Sequence, residues 1–478
     1  CQKPICILRI LINMKEVIST HIGQAGAQVG SALWELYCSE HYLKPNGCKS
    51  ATAHDVDMSP TNAFFSSTKH SEKYVPRCIL VDLEPAVLDE IRGGLYRELF
   101  HPNSLISGIE DASNNFARGY FSVGRTVIEQ VEDCLRRLFE NAECVIGIMI
   151  FRALGGGTGS GFTAAYMDCL DEYPKTYRIE VPIYPSPTFS SATVEPYNFL
   201  LGEHFTMDDI DVGLLLDNEA LYDLSKLYIG CANPTFHNIN RIIAMVCSNV
   251  TASTRYPSVL QSDLSIMQTN LVPYPRIHFP LCSMAPVAGH KIATHENYNT
   301  LELIRRCYHK STQLVKVDCK SGCYMSSALF FRGAVNPSEI YGSLMRIKNS
   351  KFMKFVDWCP TGFKVGICTE PPVSVPNSGI ACPDSSCLML TNNTAIGDCW
   401  ARMTQKFHIL YSKRSFIHWF VGEGMEESEL SEALGNFQSL IKDYEEAAAP
   451  SEIEKPNGND NDNENNEYEE MEEVETQE

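Results

Sequence analysis

The stretch Val145-Ile-Gly-Ile-Met-Ile-Phe-Arg-Ala-Leu-Gly-Gly-Gly-Thr-Gly-Ser-Gly161 decides how this chain is read. Val145–Phe151 is an apolar run of strand length without polar alternation, as expected of a strand buried on both faces. It leads into Gly155–Gly161, where five of seven residues are glycine. Small residues let successive backbone N–H groups curl toward an anion, and the N-terminus of a helix predicted over Phe162–Leu170 adds partial positive charge. Thr158 and Ser160 supply hydroxyl donors. A glycine-rich turn without a ligand is the competing reading, but five glycines at a strand-to-helix junction favour phosphate. No Gly-Lys-Ser/Thr follows, so the motif is not a P-loop, and a dinucleotide fingerprint belongs after the first strand instead.

The surrounding text repeats the strand-then-helix pattern. Val17–Ile22 reads as a strand, followed by Gly23-Gln-Ala-Gly-Ala-Gln-Val-Gly30 and an amphipathic helix through Trp34 and Leu36. Ile79–Leu83 and Val212–Leu216 read as further strands, the latter ending in the helix-start signal Asp217-Asn218-Glu219. This alternation predicts an α/β fold with a Rossmann-like parallel sheet. A long helix follows, with Ile239, Ile242, Ile243, Val246 and Val250 on one face. After Pro273 and Pro275 shorter strand and helix signals indicate a second α/β unit, and from about Asn392 to Ala447 helical signals dominate. The expected division is an upstream extension 1–13, a nucleotide domain 14–218, a core helix with intermediate domain 219–393, C-terminal helices 394–450 and an acidic tail 451–478. Cys1 is not a Met, so translation is expected to begin at Met14.

Several side chains have chemistry suited to a nucleotide. Gly23–Gly30, with Gln24 and Gln28, reads equally as a loop closing over phosphates or as a close helix packing. Glu84 and Asp111 sit where a strand ends and a loop begins; they are either solvated acids or hard oxygen ligands for a Mg²⁺ that rides on phosphates. Asn218 and Asn240 offer both donor and acceptor, the complement of a guanine edge, and Phe236 lies one turn before Asn240, placed to stack on a base. A cap or a core residue is the competing reading for each.

Composition narrows the class. The net charge is −20, and residues 451–478 hold twelve carboxylates against the single Lys455. Such a tail cannot bury enough apolar surface to order itself, and it favours basic protein partners over nucleic acid. Nineteen cysteines in a chain this long, without a convincing secretory signal, read as reduced and mostly buried thiols. Neither Cys319/Cys323 nor Cys382/Cys387 has a matching pair at zinc spacing. No apolar run approaches the ~20 residues of a membrane span.

From Met14 to about Glu446 the chain resembles the tubulins, and among them the α chains. The likeness is carried by Gly23–Gly30, Trp34–Cys38, Val81–Pro85, Phe100-His-Pro102, Gly155–Gly161, Val194–Asn198, Asp217–Ala220, Gln268–Pro280, Phe355–Gly366 and Val421–Glu427. The longer loop at Pro371–Leu390 and the string Gln268–Pro275 are of the α kind. The resemblance implies a structural subunit of microtubules in the cytoplasm, paired with β-tubulin, with GTP held permanently at their interface and Mg²⁺ between its phosphates. Basic microtubule-associated proteins and motors would engage the acidic tail. The implied nucleotide contacts are Gln24, Gln28, Glu84, Asp111, Asn114, Ala153, Gly156, Gly157, Thr158, Gly159, Ser191, Glu195, Asn218, Phe236 and Asn240, with Glu84 and Asp111 on the metal and Glu195 on ribose hydroxyls.

Five departures qualify this picture. Ser191 stands where the family usually has threonine. Ala153 replaces a serine that contacts phosphate, a loss on the order of one hydrogen bond. In Leu260–Asn270, Ile266 occupies the position of a glutamate that reaches across the longitudinal interface and readies water in the β site. A hydrocarbon cannot do this, and losing such a group lowers a rate by ~10²–10⁴; Asp263 nearby is the remaining acid. The loop Ser50–Asp57 has no lysine where the family is acetylated, Lys49 lying several residues earlier. The tail closes on Glu478, with Tyr468 internal, so the terminal tyrosine cycle has no substrate. The alternatives are a specialised or degenerate GTP-binding paralogue that incorporates poorly, and an independent GTPase or nucleotide-dependent oxidoreductase. The missing P-loop lysine and the missing glutamate count against the last.

Overall fold

The computed structural model describes residues 15–450 apart from 51–57, 69–72, 187–189, 191, 261–262, 290–297, 349–352, 360–362 and 377. Ser191, the lysine-free loop, the N-terminal extension and the acidic tail therefore lie outside the described residues or almost entirely so.

Seven strands form the first sheet: β1 (Glu16–Ile22), β2 (Cys78–Asp82), β3 (Leu105–Ser107), β4 (Val145–Ala153), β5 (Tyr177–Tyr184), β6 (Val212–Gly213) and β7 (Leu216–Asp217). The spatial order is β3-β2-β1-β4-β5-β6, with β7 also on β5, and every pairing is parallel. The side-chain period of two explains why both faces are apolar. Val17, Met149 and Phe151 enter one core with helices α1 (Gly23–Glu40) and α7 (Phe236–Arg255). Their neighbours Ile18, Ile148 and Ile150 enter another with α3 (Val123–Glu140) and α4 (Thr163–Leu170). The remaining helices of this half are α2 (Pro85–Gly93), α5 (Glu195–Thr206) and α6 (Asn218–Leu224).

The face predicted for α7 is the one buried: Ile239, Ile242, Ile243, Val246 and Val250 are at most 1% exposed. The helix starts where Thr235 donates its hydroxyl to Asn238 Oδ1 at 2.5 Å, and the Thr235 N–H donates to the same oxygen at 3.3 Å. Past α7 a second, mixed sheet is built from β8 (Ser258–Leu260), β9 (Leu281–Ala285), β10 (Tyr324–Gly333), β11 (Phe363–Cys368) and β12 (Ser385–Asn393), in the order β8-β11-β10-β12-β9. Helices α8 (Leu264–Leu271), α9 (Thr300–Cys307) and α10 (Pro337–Lys348) belong to it, and α11 (Gly397–Ser412), α12 (Ile417–Val421) and α13 (Glu427–Ala448) close the molecule around Trp400, Phe407 and Phe437. Among the described residues no helix is long and apolar enough to cross a membrane. The described cysteines are free thiols, most of them buried.

Three local readings change. The second sheet begins at Ser258, before the prolines, because a three-residue strand carries no periodic signal. Val212–Leu216 is not one strand. Its buried middle also bonds toward the second sheet, where Gly213 N–H donates to His278 O at 2.9 Å and Leu215 bridges to Leu281, so the run links the first sheet to the second. The helix expected from Phe162 already begins at Gly157 with a wide turn over Thr158–Phe162. Ser160 and Thr163 hydroxyls donate to the Gly156 and Gly159 carbonyls at 2.6 and 2.8 Å, satisfying acceptors near that turn.

Candidate functional site

Strand order reverses between β1 and β4: the chain builds outward through β2 and β3, then returns to β1's other edge. His21 lies opposite Phe151 in this pair, so the turns after Ile22 and Ala153 emerge side by side. Open α/β sheets leave a crevice there, outside the carboxyl ends of the strands.

The glycines divide by what a side chain would meet. Gly23 has φ +74°, a conformation that favours glycine, and faces Thr158 and Gly159 at 3.6 Å. A Cβ on Gly26 would lie 2.5 Å from the Phe151 carbonyl, and one on Gly30 2.7 Å from His21 Nδ1, so these two serve helix packing. The helix-packing reading of Gly23–Gly30 thus holds at Gly26 and Gly30, while Gly23 and the exposed Gln24 stand at the end beside the second junction and Gln28 is half-buried along α1. In the second junction a Cβ on Gly155 would stand 2.6 Å from Glu195 Oε1, and one on Gly157 2.5 Å from Asn115 N. On Gly156 the nearest atom would be Asn114 Oδ1 at 3.9 Å, so open space lies there. Thr158 and Gly159 enter the first helical turn, with Thr158 buried against Gly23 and Gly159 close on the half-buried Ala153.

A third loop completes the cradle. Ser113 and Asn114 adopt φ +50° and +54°, and Asn114 and Asp111 are exposed beside Gly156 and the end of β2. Two residues that sequence reasoning missed hold this region. Asn198, fully buried on α5, donates from Nδ2 to Asn114 O at 2.7 Å and Gly155 O at 3.0 Å, and accepts from Phe116 N–H at 3.0 Å. Asp82 ends β2, buried behind Glu84. Burial raises its pKa to about 6, the Glu84 and Leu83 N–H groups oppose the rise, and the charges of Asp111 and Glu84 add to it. Glu84 precedes Pro85 at the start of α2 and is exposed.

A group of carboxylates in which Asp111 and Glu84 raise Asp82 suits a hard divalent cation, and Mg²⁺ on phosphates needs only one or two of them. Among the described residues no three His, Cys, Asp or Glu side chains form a metal cage. The exposed Glu84 and Asp111 at the end of β2 and in the neighbouring loop fit a Mg²⁺ carried on phosphates.

Glu195 opens α5 with its carboxylate buried. Burial raises its pKa, while the hydroxyl of Ser190, which donates to Oε2, and the charge of Lys406 lower it. Asp217 caps α6 by accepting Glu219 N–H at 2.9 Å, and burial lifts its pKa to about 6. Because Asp217 pairs with Tyr184 at the carboxyl end of β5, Asn218 stands on the same sheet edge. Phe236 is 57% exposed at the start of α7, its ring 6.0 Å from Tyr222 of α6, and Asn240 is buried one turn on.

Ile266 and Asp263 are elsewhere. Asp263 precedes α8 and pairs with Lys15, at the amino end of β1. Leu264 lies against Gly147, near the amino end of β4. Leu264, Met267 and Leu271 point inward, and Ile266 shares the opposite stripe with the exposed Thr269 and Asn270. Seven residues of β1 separate this edge from the cradle, on the order of 20 Å. The Asp263 carboxylate is buried and committed to Lys15.

A strand-order reversal beside a glycine-lined cradle at a helix N-terminus is the construction of nucleotide-binding α/β proteins. Residues 16–226 match the Tubulin/FtsZ family GTPase domain, and residues 275–405 the tubulin C-terminal domain. The chain is 46% identical to the tubulin alpha-2 chain of Schizosaccharomyces pombe over 92% of its own length and 98% of that protein. It is 47% identical to the tubulin alpha-B chain of Neurospora crassa, over the same shares of both chains. The chain belongs to the α-tubulin family, and its N-terminal half is that family's GTP-binding domain.

Proposed function

We propose that this chain is a structural subunit of microtubules that pairs with β-tubulin, holds GTP in the β1/β4 crevice, and does not activate hydrolysis on the β subunit it abuts. Gly156–Gly159, Gln24 and Asn114 would hold the phosphates, Glu84 and Asp111 the Mg²⁺, Glu195 the ribose, and Asn218, Phe236 and Asn240 the base. Bound Mg²⁺ would neutralise phosphate charge. Gly156–Gly159 would offer backbone N–H groups and the N-terminus of the helix that runs on into α4 to that charge, and Ala153 withholds the hydroxyl a serine would add. The observation that carries the polymer reading is the placing of α8 at the edge opposite the cradle. A subunit with a nucleotide at one edge and α8 at the other is built for head-to-tail stacking, so α8 meets a neighbour's nucleotide and never its own.

Ile266 stands on the outward stripe of α8 without a group to accept a proton or orient water, and Asp263 is withheld by Lys15. Phosphate release during co-assembly with an ordinary β-tubulin is the test. The expected result is release slowed ~10²-fold or more, with Ile266→Glu restoring it. Release at the ordinary rate, unimproved by Ile266→Glu, refutes the deficiency while leaving the structural role in place.

A further inference from the structure

We infer that Asn198 is a positioning residue that sets the spacing between the two phosphate-facing loops, and that nucleotide retention depends on it. The inference rests on the nucleotide reading of the crevice proposed above, and it concerns a side chain that need touch no ligand.

Three observations carry it. First, the Asn198 side chain is completely removed from solvent, and its bonds reach backbone atoms only. A buried amide with its donors and acceptor engaged is a rigid spacer, because releasing any one bond strands a polar atom. Second, these bonds run to two different loops. Asn114 O and Phe116 N belong to the segment that carries Asp111 and Asn114, and Gly155 O to the segment that carries Gly156–Gly159. The left-handed backbone at Ser113 and Asn114 turns the Asn114 carbonyl to where the amide can reach it. Third, Asn198 stands three residues after Glu195, so one helical turn of α5 presents both a crevice carboxylate and the clamp. Moving α5 therefore moves both loops together. A ligand that bridges the two loops gains from their being held at a fixed separation, since the ordering is done before it arrives.

Ordinary core packing predicts something else: loss of stability without selective loss of nucleotide. Asn392 provides the comparison. It is equally buried, on β12, and donates from Nδ2 to Leu271 O at 3.2 Å and Ile277 O at 2.8 Å, far along the chain from either loop.

The heterodimer with a β-tubulin partner is prepared with the wild-type chain and with Asn198→Ala, Asn198→Ser and Asn392→Ala. Loss of the slowly released guanine nucleotide in excess EDTA is followed beside the thermal midpoint. Asn198→Ala should release nucleotide about ten- to a hundred-fold faster, the factor that its three neutral hydrogen bonds are worth. Asn392→Ala, with a similar fall in midpoint, should release it at the wild-type rate. Equal release from wild type and Asn198→Ala overturns the clamp alone, as does an equal acceleration in Asn392→Ala. Should Asn198→Ala yield no dimer, Asn198→Ser decides by the same criteria. A wild-type dimer without slowly released nucleotide overturns the reading of the crevice and the clamp with it.

Discussion

A methyl group on Gly157 would meet the Asn115 backbone at 2.5 Å, whereas one on Gly156 would enter open space. The two neighbours therefore separate folding from binding. Gly157→Ala should lower the thermal midpoint of the heterodimer, since backbone cannot step aside as a flexible side chain can. Gly156→Ala should leave the midpoint within the range of a surface change yet weaken nucleotide retention, because its methyl fills the cradle. Retention unaffected by Gly156→Ala would place the phosphates elsewhere. Glu203 offers a second test. On α5 it shares Arg152 with Glu180, and all three side chains are fully buried. Burial and the Glu180 charge raise the Glu203 pKa to about 8 against the pull of Arg152. A carboxyl raised in the folded state stabilises fully below its unfolded pKa, and that contribution is lost as pH climbs from about 4.5 toward about 8. Glu203→Gln, always neutral, should flatten the fall, removing up to about 1.4 kcal/mol per pH unit across that window. Parallel pH profiles of wild-type and Glu203→Gln melting would refute this. At this scale the glycine junction was legible because five small residues in seven leave few alternatives. Asn198 and Asp82 were not: one acts on backbone eighty residues away, and the other reads as the last residue of a strand.

Helices α1 and α7 and strand β10 meet at a buried charge cluster. Glu40 accepts from Arg255 at 2.6 Å, from Arg332 at 2.9 Å and from the Ser248 hydroxyl at 2.6 Å. Arg255 also lies over the Tyr37 ring at 4.6 Å. Burial alone would raise the Glu40 pKa, but the two guanidinium groups outweigh it and hold it at about 2. The cluster ties an N-terminal helix to the second sheet through α7, so Glu40→Ala strands two arginines in the seam between them. The expected loss is about 3–5 kcal/mol, read from chemical denaturation of the heterodimer. A loss below about 1 kcal/mol, the size of a surface pair, would refute the joint. The elements themselves were legible where they are long and periodic, as in α7. They were not where one apolar run splits into two short strands, β6 and β7, both on β5, because the bond from Gly213 to His278 and the bridge from Leu215 to Leu281 override the local pattern.

Across the whole molecule, charge and connectivity are distributed differently. Residues 451–478 carry eleven of the twenty net negative charges. Removing them should weaken capture of a basic partner at low salt and flatten its dependence on ionic strength, measured by co-sedimentation with assembled polymer. An unchanged salt profile would place that attraction on the folded surface. The alternation of strand and helix foretold the parallel sheet, but not that the segment after its Asp111–Asn114 loop is braced by the C-terminal helices. Asn115 Nδ2 donates to Trp419 O at 3.0 Å, Ser122 donates to Glu423, and the Tyr197 hydroxyl donates to Ser415 O at 2.9 Å. A ribosome delivers Asn115 first and Trp419 only 304 residues later. Until that late segment emerges, the early loop lacks its outer support, so a nascent chain must shelter an unfinished pocket while the intervening residues are made.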